Sequence, residues 1–128
     1  MSRGLADTSL FIGREEGRSL DLALVPDELA VSVITVGELR AGVLVAADVG
    51  VRARRLEMLE AALTLDPVPV DGEVAARWAT LRVELRDAGM RMPVNDSWIA
   101  ATALALGVPV VTQDDDFPPL PGLEVLRV

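Results

Sequence analysis

Short apolar runs leading into carboxylates alternate along this chain with longer stretches of helical periodicity, and this alternation constrains the fold more than any other feature. Gly4-Leu5-Ala6 runs into Asp7, residues 29–33 lead to Glu38, and residues 108–112 lead to Asp114, Asp115 and Asp116. Between them, residues 71–88 form the clearest amphipathic helix, with Val74, Trp78, Leu81 and Leu85 on one face and Gly89 at its C-terminal stop. Residues 96–106 are apolar nearly all round, which predicts a buried helix ended by Gly107. Strands alternating with helices predict an α/β fold, a parallel sheet with helices on both faces, as one domain over residues 1–128.

The weaker signals fill in the order. Residues 10–13 start a short helix, and residues 19–25 read as another, stopped by Pro26. Thr35-Val36-Gly37-Glu38 matches a capping box opening a helix to about residue 47. Residues 51–63 carry Leu56, Leu59 and Leu63 at helical spacing. Residues 65–70 predict a third strand, placed at a sheet edge by Pro67 and Pro69. Residues 123–127 predict a terminal strand.

With 51% apolar and 25% charged residues the chain is expected to fold, and with 3% aromatics its core must be aliphatic. No apolar run approaches the roughly 18 residues of a membrane span. The first residues lack the apolar segment of a signal peptide, so a cytoplasmic location is expected.

The residue types that are missing narrow the chemistry. There is no His, Cys, Lys or Tyr, and all 12 basic residues are Arg. That excludes a thiol nucleophile, a Ser-His triad, an ordinary zinc site, a Schiff base and a Walker A lysine. Asp7, Glu38, Asp96 and the Asp114–Asp116 run remain as candidates. Carboxylates clustered without a cationic partner favour a hard divalent ion such as Mg²⁺. A net charge of −8 argues at first against a nucleic-acid partner, but less so when the acids share one metal-neutralised pocket.

In an open parallel sheet Asp7, Glu38 and Asp114–Asp116 share one edge, outside the carboxyl ends of the strands, where ligands bind. The start of the helix at Asp96 could reach the same edge. Each acid also has an ordinary alternative. Asp7 fits an N-cap, Glu38 the capping box, Asn95-Asp96 a cap and first-turn acid, and Asp114–Asp116 a turn. Together, acids in one pocket would repel one another and need a cation. Thr8, Ser9, Asn95 and Thr112 stand beside them, either as caps or as hydroxyls and amides orienting the carboxylates. The arginines read mostly as solvated helix faces, and Trp78 and Trp98 as core residues.

The segments Leu5-Ala6-Asp7-Thr8-Ser9, Ser32-Val33-Ile34-Thr35-Val36-Gly37-Glu38-Leu39, Val94-Asn95-Asp96-Ser97-Trp98-Ile99-Ala100-Ala101-Thr102-Ala103 and Val110-Val111-Thr112-Gln113-Asp114-Asp115-Asp116-Phe117 follow one another in this order. In them the chain resembles the PIN-domain ribonucleases, specifically the VapC toxins of type II toxin–antitoxin pairs. The resemblance implies a three-layer fold around a parallel five-stranded sheet of order 3-2-1-4-5. It implies a Mg²⁺-dependent endoribonuclease, with Mn²⁺ able to substitute, cutting structured RNA such as tRNA or ribosomal RNA. Asp7, Glu38 and Asp96 match the family's three core acids, and Asp114 is favoured as the fourth. Asp7, Asp96 and Asp114 are then the expected metal ligands, supported by Asp116, Thr8, Asn95 and Thr112, with Asp115 facing solvent. The first strand is shorter and less apolar than is usual in the family. Implied partners are a cognate VapB-type antitoxin blocking the acidic pocket, an RNA substrate, and a second copy in a homodimer, giving a hetero-oligomer with no membrane contact. Residues 20–25 and 36–45 hold more apolar side chains than one helix face hides, which fits such interfaces.

Two other classes compete. A phosphoryl-accepting domain, receiver-like or phosphatase-like, would also present an acidic pocket, but the first needs a lysine and the second an acid two residues after Asp7; neither is present. A non-enzymatic interaction domain would use the acids as caps and bind no metal.

Overall fold

The computed structural model describes residues 1–128 as nine elements: β1 (Arg3–Ala6), α1 (Thr8–Glu15), β2 (Glu28–Val31), α2 (Val33–Val45), α3 (Val49–Leu63), α4 (Gly72–Asp87), α5 (Val94–Leu106), β3 (Val110–Thr112) and β4 (Val125–Arg127). The strands pair in parallel in the order β2-β1-β3-β4.

The central strands show why short apolar runs suffice. Leu5, Ala6, Val110 and Val111 are all buried, and alternation sends Leu5 and Val110 to one face of the sheet and Ala6 and Val111 to the other. Leu5 and Val110 share one core cluster with Leu81 and Leu85 of α4 and Ile99, Ala100 and Ala103 of α5. Ala6 and Val111 meet Leu10 and Phe11 of α1, Leu39 of α2, and Met58, Leu59 and Ala62 of α3. At Gly4 a Cβ would stand 2.5 Å from Val111 Cγ2 and 3.0 Å from Pro26, so close packing of β1 demands glycine there. The paucity of apolar residues in β1 reflects this approach.

The sheet has four strands, in place of the expected five-stranded sheet of order 3-2-1-4-5. Residues 65–70 form a single parallel bridge, Val68 to Ser32, through Val68 N–H to Val31 O (2.8 Å) and Val33 N–H to Val68 O (3.0 Å). The segment cannot extend either way. Asp66 has φ +48°, a left-handed turn before the bridge, and Asp71 caps α4 just after it. Pro67 and Pro69 lack an N–H to pair with any outer strand.

Three helical expectations also differ. Residues 19–25 make a turn, not a helix: the Asp21 carboxylate accepts from Ala23 N–H (3.2 Å), and Leu22 has no core to enter. The helix expected to open at a Thr35–Glu38 capping box begins three residues earlier, because Ser32 Oγ accepts from Ile34 N–H at 3.0 Å and is the N-cap. Thr35 is therefore an interior helix residue. In α3 the buried side chains are Met58, Leu59 and Ala62, while Leu56 and Leu63 lie outside. The helix over residues 72–87 follows expectation, with Asp71 Oδ1 accepting from Val74 N–H at 2.9 Å and Gly89 at φ +67°. Gly107 ends α5 at φ +68°.

Candidate active site

At the C-terminal edge of the parallel sheet a cavity of about 450 Å³ opens between α1, α2, the start of α5 and the loop after β3. Asp7, Glu38, Asp96, Asp114 and Asp116 all line it, with Thr8, Ser9 and Asn95. Thr112 lies beneath it, fully buried. Asp115 turns away and pairs with Arg127 at the surface.

Asp7 directly follows β1 and is 3% exposed. It occupies the N-cap position of α1, but its carboxylate makes no capping bond. Instead Oδ2 accepts from Thr112 Oγ1 at 2.8 Å. The Thr112 hydroxyl spends its one proton there, so Ser9, 3.1 Å away, donates to it, and Asp114 N–H also donates to it at 3.0 Å. Ser9 Oγ in turn accepts from Gln113 N–H at 2.9 Å. This saturated chain ties Asp7 on β1 to the acid loop after β3.

Glu38 is held the same way. Thr8 Oγ1 donates to Glu38 Oε1 at 2.7 Å, so Thr35, 2.9 Å from Thr8, is the donor to Thr8. The early start of α2 makes this possible, because it places Thr35 and Glu38 one helical turn apart on one face. Asp96 rides in the first turn of α5, whose N-cap is Pro93, and no capping bond engages its carboxylate. Behind it, Trp78 Nε1 donates to Ser97 Oγ at 3.0 Å, and Trp78 stacks on Trp98 with centroids 4.3 Å apart. The tryptophans are half-buried supports of this turn rather than full core residues.

The electrostatics follow from acids converging where water is partly excluded. Asp96 is raised to about 7, first by burial and then by the charges of Asp7, Asp116, Glu38 and Asp114. Asp114 is also raised, by burial and by Asp7 and Asp116, with Arg18 and Arg127 opposing. Such a pocket holds its charge poorly without a cation. Its lining offers carboxylate, hydroxyl and amide oxygens, the donor set of a hard divalent ion. As placed, no three of the acids stand together as a ready-made metal-holding group. Mg²⁺ does not require one: it keeps several waters and uses one or two carboxylates plus substrate phosphate.

One lining residue was not anticipated. Arg18 reaches the cavity although the acids were expected to stand without a basic neighbour. Its position comes from a Schellman stop on α1: Gly17 at φ +76°, Gly17 N–H to Arg14 O (3.2 Å) and Arg18 N–H to Gly13 O (2.8 Å). Gly17 was the available signal, but reading it required knowing that α1 ends at Glu15.

The whole-chain comparisons agree with one another. The PIN domain family model matches residues 5–123. The chain is 49% identical over 128 residues to Ribonuclease VapC5 of Mycobacterium tuberculosis, covering 98% of this chain and 95% of that one. It is 46% identical over 126 residues to Ribonuclease VapC4 of the same organism, covering 98% and 97%. Its fold superposes with a TM-score of 0.92 at 44% identity, over 100% of both chains, on a crystal structure from M. tuberculosis described as VapBC-5, a member of the VapBC family of toxin–antitoxin systems.

Proposed function

The chain belongs to the PIN-domain family, and from that premise we propose that it is the ribonuclease toxin of a VapBC pair, cutting structured RNA such as tRNA or ribosomal RNA with Mg²⁺. The observation that carries the metal-dependent reading is the convergence of Asp7, Glu38, Asp96 and Asp114 on one cavity, where burial first, and then the neighbouring carboxylates, raise Asp96 to about 7. The part of that rise due to the neighbouring carboxylates is what a bound cation would relieve.

In this reading Asp7, Asp96 and Asp114 would hold the ion, Glu38 would complete the catalytic set, and Asp116, Thr8, Asn95 and Thr112 would support it. When bound, Mg²⁺ polarises the phosphodiester and offsets the charge that develops on it. The chain's own part is positioning. Thr112 fixes the Asp7 carboxylate and Thr8 fixes Glu38, so neither must reorganise during the reaction. With no His or Lys in the chain, a carboxylate is the side chain available to take a proton from the attacking water.

The cognate partner is a VapB-type antitoxin, and a second copy of the chain completes a homodimer. Supporting such contacts, Leu44, Val45 and Val49 at the α2–α3 junction are 72%, 76% and 82% exposed. No helix is long and apolar enough to cross a membrane. Incubation of the purified chain with total tRNA and ribosomal RNA tests the activity: discrete fragments with Mg²⁺ and none with EDTA are expected. Intact RNA with either Mg²⁺ or Mn²⁺ would overturn it.

A further inference from the structure

We propose that Arg18 is the substrate-binding residue that takes an RNA backbone phosphate at the rim of the acid pocket, with Gln113 as the positioning residue that holds its loop. The inference rests on the ribonuclease reading above and names the contact by which an acidic site receives an anionic substrate.

Of the chain's 12 arginines, Arg18 alone lines this cavity, against five carboxylates. A polyanion approaching such a mouth is repelled unless a fixed cation meets it. A guanidinium suits that role, because its fork matches two phosphate oxygens and stays charged at every working pH. Arg18 is available for it. Its one ion pair, with Glu16 at 3.1 Å, has side chains 43% and 59% exposed. Exposed pairs of that kind are weak, so a phosphate can displace the partner.

The loop that carries Arg18 is anchored. The Schellman bonds fix its first residue, and Gln113 Nε2 donates to Ser19 O at 3.1 Å. The other end of that amide, Oε1, is buried without a hydrogen-bond partner. It lies over Gly13, where a Cβ would stand 2.0 Å from it. A glutamine seated at this expense, on the strand exit that also carries Asp114, couples the position of Arg18 to that of the acids. Leaving a buried acceptor unmade is unfavourable, and such exceptions call for a reason. Here the reason is the tie to Ser19.

The test is the salt dependence of cleavage of total tRNA and ribosomal RNA by wild type, Arg18→Gln, Arg18→Lys and Gln113→Ala. Arg18→Gln should lower kcat/KM about 10–100-fold at low salt, mainly through KM, as expected for loss of one charged hydrogen-bonding contact. Its log–log slope against KCl, read over about 50–200 mM, should flatten by about 0.7, the value for one phosphate contact on a single strand. Arg18→Lys should keep the wild-type slope. Gln113→Ala should raise KM with the slope unchanged, since the charge remains. A guanidinium that only steadied Asp114 would alter the thermal midpoint or kcat and leave the slope alone. An unchanged slope in Arg18→Gln, with wild type active, overturns this inference and spares the ribonuclease reading. A wild type that cuts no RNA overturns that reading itself.

Discussion

Thr112 Oγ1 donates a 2.8 Å hydrogen bond to Asp7 Oδ2, joining the exits of two neighbouring parallel strands beneath the acid cavity. The bond explains how a carboxylate 3% exposed keeps one fixed orientation without acting as the helix cap its sequence position suggests.

Replacing that hydroxyl isolates its role. Thr112→Val keeps the β-branched shape but leaves Asp7 Oδ2, the Ser9 hydroxyl and Asp114 N–H without their common partner. Unmade buried bonds of this kind cost about 1–3 kcal/mol. Loss of an orienting neighbour typically lowers metal affinity or activity about 10–100-fold. Urea unfolding and cleavage rates should show both losses; an unaltered Mg²⁺ requirement and rate would mean that Asp7 needs no such support.

Gly13 predicts a coupled response. In a helix, Gly→Ala ordinarily stabilises by about 0.5–1 kcal/mol. Here a Cβ would stand 2.0 Å from Gln113 Oε1, so the amide must move off its bond to Ser19 O, and Gly13→Ala should lose most of that gain in the wild type. In a Gln113→Ala background the obstruction is gone and the same change should stabilise. A double-mutant cycle by denaturant melts measures the difference, and additivity would contradict the packing described.

The pH dependence follows from Asp96. Its pKa rises from an ordinary value near 4 to about 7 on folding, so between these values the folded state holds a proton that the unfolded state has lost. The associated stability is fully present below about pH 4 and is lost as pH rises through about 7. The metal-free protein should therefore show a thermal midpoint that this group drives down across that window. Asp96→Asn should remove that contribution and melt higher than wild type at pH 8. Added Mg²⁺ should recover the loss in wild type only. A lower midpoint for Asp96→Asn at pH 8 would mean that crowding of the acids is not what the fold tolerates there.

Much of this site was legible because the rule behind it is geometric. Acids placed after parallel strands must emerge at one edge, and Asp7, Glu38, Asp96, Asp114 and Asp116 do meet there. Strands β2 and β3 and the amphipathic helix over residues 72–87 followed from their apolar patterns, whereas β1 was legible only from the Asp7-Thr8-Ser9 after it. What the sequence hid turned on a choice between neighbouring local signals or on a partner distant along the chain. Thr35 read as a cap because Ser32 Oγ, one strand-end away, was an equally good one. Residues 65–70 had a strand's composition, but the φ of Asp66 and the cap at Asp71 leave room for one bridge. Arg18 lay beyond reach because its placement depends on the length of α1 and on a glutamine 95 positions later.

The most direct test of the account sets wild type beside Asp7→Asn and Asp96→Asn in Mg²⁺-dependent cleavage of total tRNA and ribosomal RNA, each variant first shown to be folded by circular dichroism. The account predicts discrete fragments from wild type and none from either folded variant. Cleavage at the wild-type rate by Asp7→Asn or Asp96→Asn would contradict it, because the carboxylates assigned to hold the metal would then be dispensable.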